Sequence, residues 1–134
     1  MALVANIDHV AFAVSDLGAA VQFYGDVLGL LPIGEPYHVD GEIAVQRVGG
    51  GEILLSLHRS GSGAQPVATH AASGSLDICF EWIGSLDAAR AHLGALDIEP
   101  LQPPAPRRTR DGAAGESLYF RDLDGNLIEL MARV

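Results

Sequence analysis

The chain has a single cysteine, Cys79, in 134 residues. No intrachain disulfide can form, and nothing points to an oxidising compartment. Basic side chains are also scarce, 8 against 17 acidic, for a formal charge of −9 and a pI near 4.7. That balance excludes a phosphate-backbone binder, whose affinity rests on Lys and Arg neutralising phosphates, and it disfavours an anionic membrane surface for the same reason. No apolar stretch approaches the ~20 residues of a membrane span. The opening MALVANIDHV lacks a basic n-region and reaches Asp8 before any apolar run long enough for export. The expectation is a cytoplasmic, soluble protein with a small-molecule partner, and with neither nucleic acid nor membrane as partner. Hydrophobicity is what the chain has: 49% apolar residues, four Phe, three Tyr and one Trp suffice for a buried core and argue against disorder.

Self-comparison reveals a weak duplication. Residues 7–14 and 75–82 place apolar side chains alike, Val10 with Ile78, Phe12 with Phe80 and Val14 with Trp82, and each segment runs into a helix. The halves also close alike: GEILLSL at 51–57 resembles GNLIELM at 125–131, a turn glycine followed by an apolar strand. In the first half, residues 7–14 alternate, with Val10, Phe12 and Val14 on one face and His9, Ala11 and Ala13 on the other. A helix is predicted over 16–28, capped by Ser15, carrying Leu17, Val21, Tyr24 and Leu28 at helical spacing and stopped by Gly29. Residues 32–41 read as a turn region. Strands near 42–48 and 52–58 follow, joined by Gly49-Gly50-Gly51. The second half offers a strand over 76–83, a helix over 86–95, a proline-rich passage at 100–106, and strands near 116–121 and 126–132 around the turn Asp122-Leu123-Asp124-Gly125. The reading is βαβββ twice, an α+β protein of one domain over 1–134. Module one covers about 5–60, a linker about 61–74, and module two about 75–134.

IDHVAFAVSDLGAAVQFYGDVLGL and SLYFRDLDGNLIELMARV closely resemble the vicinal-oxygen-chelate superfamily of glyoxalases, bleomycin-resistance proteins and dioxygenases. LLSLHRSGSGAQPVATHAASGSLDICF and RRTRDGAAGESLYFRD are most similar to its glyoxalase domain-containing "virulence protein" branch. The resemblance implies paired βαβββ modules curled into a mixed-sheet half-barrel with helices outside, around a divalent metal, and commonly a homodimer. Carried over position by position, it implies metal ligands at His9, Asp77 and Glu129, with Ser56 or His58 on the remaining strand. The chain departs from the usual pattern by carrying Asp77 where histidine is typical and Ser56 where glutamate or glutamine is typical.

The residues themselves lend support. His9 and Asp77 fall at equivalent repeat positions, and Glu129 between Ile128 and Leu130 must face away from the apolar side of its strand. Carboxylates converging in a buried cup would call for a counter-charge, which a divalent metal supplies. One imidazole with two carboxylates is an oxygen-rich set suited to Mn, Mg or Fe, with Ni also to be tested and Zn open if His58 adds a second nitrogen. Asp77 has two readings, an altered metal site or a lost one with Asp77 paired to His9. His58 otherwise reads as a surface residue opening the linker, His38 and His92 as surface residues, and His70 as part of a branch motif. Three arginines crowd into PPAPRRTR at 103–110, read either as a solvated face or as a clamp for an anionic or thiol-conjugated substrate built from Arg108 and Thr109, with Tyr119, Arg121 and Ser56 as further substrate contacts. The expected function is a glyoxalase-type metal-dependent lyase or isomerase in which Glu129 is metal ligand and catalytic base. Alternatives are a metal-free sequestering protein of the bleomycin-resistance kind and, further off, an extradiol dioxygenase.

Overall fold

A computed structural model describes residues 1–134, which divide into two compact units, Met1–Gly74 and Ser75–Val134. Module one contains β1 (Val10–Val14), α1 (Leu17–Leu28), β2 (Leu31–Val39), β3 (Glu42–Gly50) and β4 (Ile53–Arg59). Module two contains β5 (Asp77–Glu81), α2 (Leu86–Ala95), β6 (Ala105–Arg108), β7 (Ala114–Arg121) and β8 (Leu127–Arg133). Each module is βαβββ with one four-stranded mixed sheet, ordered β1-β4-β3-β2 and β5-β8-β7-β6, and neither sheet closes into a barrel. The first strand pairs parallel with the last, and the remaining pairs are antiparallel. This is the two-module α+β architecture expected. No helix is long and apolar enough to cross a membrane.

The duplication is written into the register. Val10 and Ala11 lie opposite Leu55 and Ser56, and Ile78 and Cys79 lie opposite Ile128 and Glu129. Period-two alternation gives each sheet one apolar face under its helix and one open face. In module one, Val14, Val48, Leu55 and Leu57 are buried together with Leu17, Ala20, Tyr24 and Val27 of α1, and the Tyr24 ring meets Phe12 edge-on at 5.8 Å. In module two, Phe80, Leu118, Phe120, Ile128 and Leu130 are buried with Leu86, Ala89 and Leu93 of α2. Each such side chain contributes roughly 1.5–3 kcal/mol through burial.

Several local expectations need correction. The cap of α1 is Asp16, not Ser15: Asp16 is extended at φ −123°, and its carboxylate accepts the Ala19 amide at 3.0 Å. Gly29 does end the helix, in the left-handed region at φ 70°. The supposed turn at 32–41 is largely the edge strand β2, where Pro32 and Pro36 are tolerated because one side of an edge strand needs no amide donors. Likewise the proline-rich passage leads into the short edge strand β6, which carries Arg107 and Arg108. Gly49 and Gly50 belong to β3 instead of forming the hairpin loop. At Gly49 an added Cβ would sit 2.7 Å from both the Ile33 side chain and the Ile53 carbonyl, so the strand needs glycine there. His58 lies inside β4, not in the linker. His92 is half-buried, its ring 5.6 Å from that of Trp82.

Candidate functional site

The candidate residues fall on the open faces of the two sheets. On module one, alternation along β4 puts Ser56 and His58 on the same face, and register sets Arg47 opposite Ser56, Val45 opposite His58, and Tyr37 opposite Val45. With His9, just before β1, these residues and Glu35 line a cleft of about 350 Å³ whose remaining wall is Ala64, Gln65 and Pro66. That volume lies within the range of small-molecule pockets.

Ser56 is buried, and its hydroxyl lies 3.3 Å from His58 Nε2. Burial, and then the neighbouring His9, hold the His58 pKa below the ordinary imidazole value, so the ring is neutral at pH 7. His9 Nδ1 is 2.8 Å from the Asp8 carboxylate. Within module one, Asp8 is the carboxylate partner of His9. A carboxylate on one ring nitrogen orients an imidazole, the pairing found where the other nitrogen serves as ligand or base.

On module two, Cys79, Glu129 and Tyr119 form one cross-sheet row. Glu129 is half-buried, and the fully buried Ser117 donates its hydroxyl to Glu129 Oε2 at 2.6 Å. Burial first, and then Glu129, push the Cys79 thiol up to about 12, so sulfur stands beside that carboxylate as a thiol. Arg107 Nε donates to Tyr119 Oη at 2.8 Å, with its guanidinium carbon 5.5 Å from the ring centroid. The phenolic oxygen thus accepts from a cation, leaving its own proton to be donated elsewhere.

The other predicted contacts are engaged locally. Thr109 is buried; its hydroxyl donates to the Asp111 carboxylate and accepts the Ala113 amide at 3.1 Å, closing its own turn. The Thr109 hydroxyl, and then Arg133, hold the Asp111 pKa down to about 2. Arg108 donates to the Gly112 carbonyl at 3.3 Å, and Arg121 to the Gly125 carbonyl at 3.2 Å. Sequence reasoning missed Arg47, Glu35, Tyr37 and Ser117, and counted Arg107 only as one of the clustered arginines. The only advance signal was alternation on β3 and β7, and the sequence does not say which residues face one another across a ladder.

The four candidate metal ligands group as His9 with His58 on module one, and Asp77 with Glu129 on either side of Cys79 on module two. Within neither module do three or more His, Cys, Asp or Glu side chains gather as a metal-binding group. The donors of each module therefore do not fit a metal centre, and no step below runs through one.

The Glyoxalase/Bleomycin resistance protein/Dioxygenase superfamily model matches residues 6–130, and the chain belongs to that superfamily. It is 30% identical over 130 residues to virulence protein STM3117 of Salmonella typhimurium, covering 96% of this chain and 84% of that one. The crystal structure of STM3117 matches with a TM-score of 0.85 at 27% identity, covering 99% of this chain and all of that one. Glyoxalase domain-containing protein RDO1 of Mycosarcoma maydis is 31% identical, covering 95% of this chain and 68% of that one. An integron cassette protein of V. cholerae matches with a TM-score of 0.86 at 30% identity, covering 98% of each chain. The same fold carries lactoylglutathione lyase from Agrobacterium tumefaciens, FosX from Listeria monocytogenes complexed with Mn(II) and sulfate, and TnmS3, an antibiotic binding protein from Streptomyces. Lyases, resistance proteins and binding proteins thus share one scaffold, and the site must decide among them.

Proposed function

We propose that the protein is a glyoxalase-type lyase or isomerase for a small oxygenated substrate, with Glu129 as the group that moves the proton. The observation that carries this reading is the half-buried Glu129 carboxylate, fixed by the Ser117 hydroxyl at 2.6 Å and directly across the ladder from Tyr119. Its free lone pairs are available to take a proton from a carbon beside a carbonyl. As that C–H bond breaks, its electron pair passes to the carbonyl oxygen, and the Tyr119 hydroxyl, polarised by Arg107, donates to the developing oxyanion. Where the carbon that lost the proton bears a hydroxyl, that hydroxyl's proton passes to the oxyanion, a new carbonyl forms there, and return of the proton from Glu129 to the former carbonyl carbon completes an isomerisation. Expulsion of a leaving group from the enolate gives a lyase instead.

The test is deuterium uptake beside the carbonyl of hydroxyacetone, followed by NMR in D₂O with protein stripped by EDTA. Uptake faster than buffer, reduced about 100-fold by Glu129→Gln, is the expected result. Uptake that appears only after Mn²⁺, Mg²⁺, Fe²⁺, Ni²⁺ or Zn²⁺ is added supports the metal-dependent form of the same reaction. Uptake no faster than buffer under every condition overturns the proposal. The same reading takes the protein as a cytoplasmic homodimer.

A second reading, metal-free sequestration of a small ligand, is favoured by the module-one cleft, which has the size and mixed lining of a binding pocket. A sequestering protein keeps its ligand affinity in Glu129→Gln and shows no uptake.

A further inference from the structure

The module-one cleft holds two opposite charges that satisfy nothing within the protein. Arg47 and Glu35 both line it, yet neither belongs to any ion pair: the salt bridges of the molecule are His9 with Asp8, Arg59 with Glu42, and Arg133 with both Glu81 and Asp111. Nor does either side chain make an internal hydrogen bond. Their placement has a cause in the sheet. Arg47 is fixed opposite Ser56 by the β3–β4 ladder. Glu35 comes from the stretch of β2 where register against β3 slips between Ile33 and Tyr37, next to Gly34 at φ 75°. Irregularities of this kind re-aim side chains at sheet edges. The cleft also offers the Ser56 hydroxyl and the His58 ring, and its apolar lining is Tyr37, more than half exposed, with Val45, Ala64 and Pro66.

We propose that this cleft is a binding site for a small zwitterion with an apolar side group, an α-amino acid or the equivalent of a short peptide, whose carboxylate meets Arg47 and whose ammonium meets Glu35. A guanidinium matches a carboxylate as a planar fork, and a carboxylate accepts from an ammonium in charge-assisted bonds. A ligand with only one of the two groups gains one of the two charge-assisted contacts and binds more weakly. The ~350 Å³ volume takes a molecule of this size, with the apolar group against Tyr37 and Pro66. The site lies wholly within module one and is independent of proton transfer at Glu129, so either proposal can fail alone.

Isothermal titration of the full chain with L-phenylalanine, the dipeptide Ala-Phe, phenylalanine amide and 3-phenylpropionate tests it. The expected result is that at least one of the first two binds, and that the amide and the phenylpropionate bind at least tenfold more weakly. Tighter binding by either zwitterion supports the proposal and identifies the free amino acid or the peptide as source. Arg47→Gln should abolish the preference over the amide, and Glu35→Gln the preference over phenylpropionate; both residues are exposed, and an unchanged circular dichroism spectrum controls for folding. No binding by either zwitterion, equal binding by phenylpropionate, or full affinity in both variants overturns it.

Discussion

The two modules repeat one backbone and reverse its chemistry. Where module two has the row Cys79, Glu129 and Tyr119, the same ladder positions in module one hold Ala11, Ser56 and Arg47. Ser117, which fixes Glu129, is matched by Val45. At these positions one open face therefore presents a carboxylate with a phenol, and the other a hydroxyl with a guanidinium. The duplication supplies equivalent positions, and single side chains set the charge at each. The modules also differ in how their last hairpin is tied. Module one turns through Gly51 at φ 56°, whereas module two uses a buried polar staple. Asn126 donates to Asp122 Oδ2 at 2.7 Å and accepts the Leu76 amide at 2.9 Å, joining the turn to the start of β5.

The staple gives the largest expected effect. Asn126→Ala leaves the Leu76 amide and part of the Asp122 carboxylate unmatched, and should cost about 2–3 kcal/mol in urea denaturation. A loss below about 0.5 kcal/mol would show that the hairpins need no such tie. Next comes the thiol. Burial and then Glu129 push the Cys79 thiol up to about 12, so its un-ionised form contributes stability that is complete below the ordinary thiol range and declines as pH rises toward 12. Iodoacetamide at pH 8 should alkylate it about 100-fold more slowly than a free thiol. Cysteine placed at the matching point of module one, as Ala11→Cys in a Cys79→Ala background, has no carboxylate across the ladder and should react faster. Equal rates would mean that the two faces do not differ electrostatically. The smallest effect is Ser117→Val, which gives module two the residue of module one. Deuterium uptake should fall about tenfold, the ~1.4 kcal/mol of a lost charge-assisted bond, with stability changed by less than 1 kcal/mol. An unchanged rate would remove Ser117 from the site.

Much of the fold was legible in the chain. The repeat, both helices and six of the eight strands follow from periodicity, because alternation and helical spacing are local properties of the sequence. The edge strands β2 and β6 were hidden by Pro32, Pro36 and Pro106, residues that read as turns and are tolerated only where a ladder ends. Asp16 displaced Ser15 as cap because two good caps stood side by side and only backbone geometry chose between them.

The site was legible in outline. His9, Ser56, His58, Asp77 and Glu129 could be named from motif and repeat, and alternation already placed Glu129 away from the core. What the sequence by itself determined was which faces exist, and that the chain is acidic, duplicated and rich enough in apolar residues to bury them. Only the tertiary structure decided that Glu129 receives Ser117, that Tyr119 receives Arg107, that Thr109 is spent on its own turn, and that Arg47 and Glu35 share a cleft unpaired. The physical reason is register. Alternation is fixed by neighbours in the chain, but the partner across a sheet is fixed by the packing of whole strands, and the candidate residues of this protein meet across the sheet.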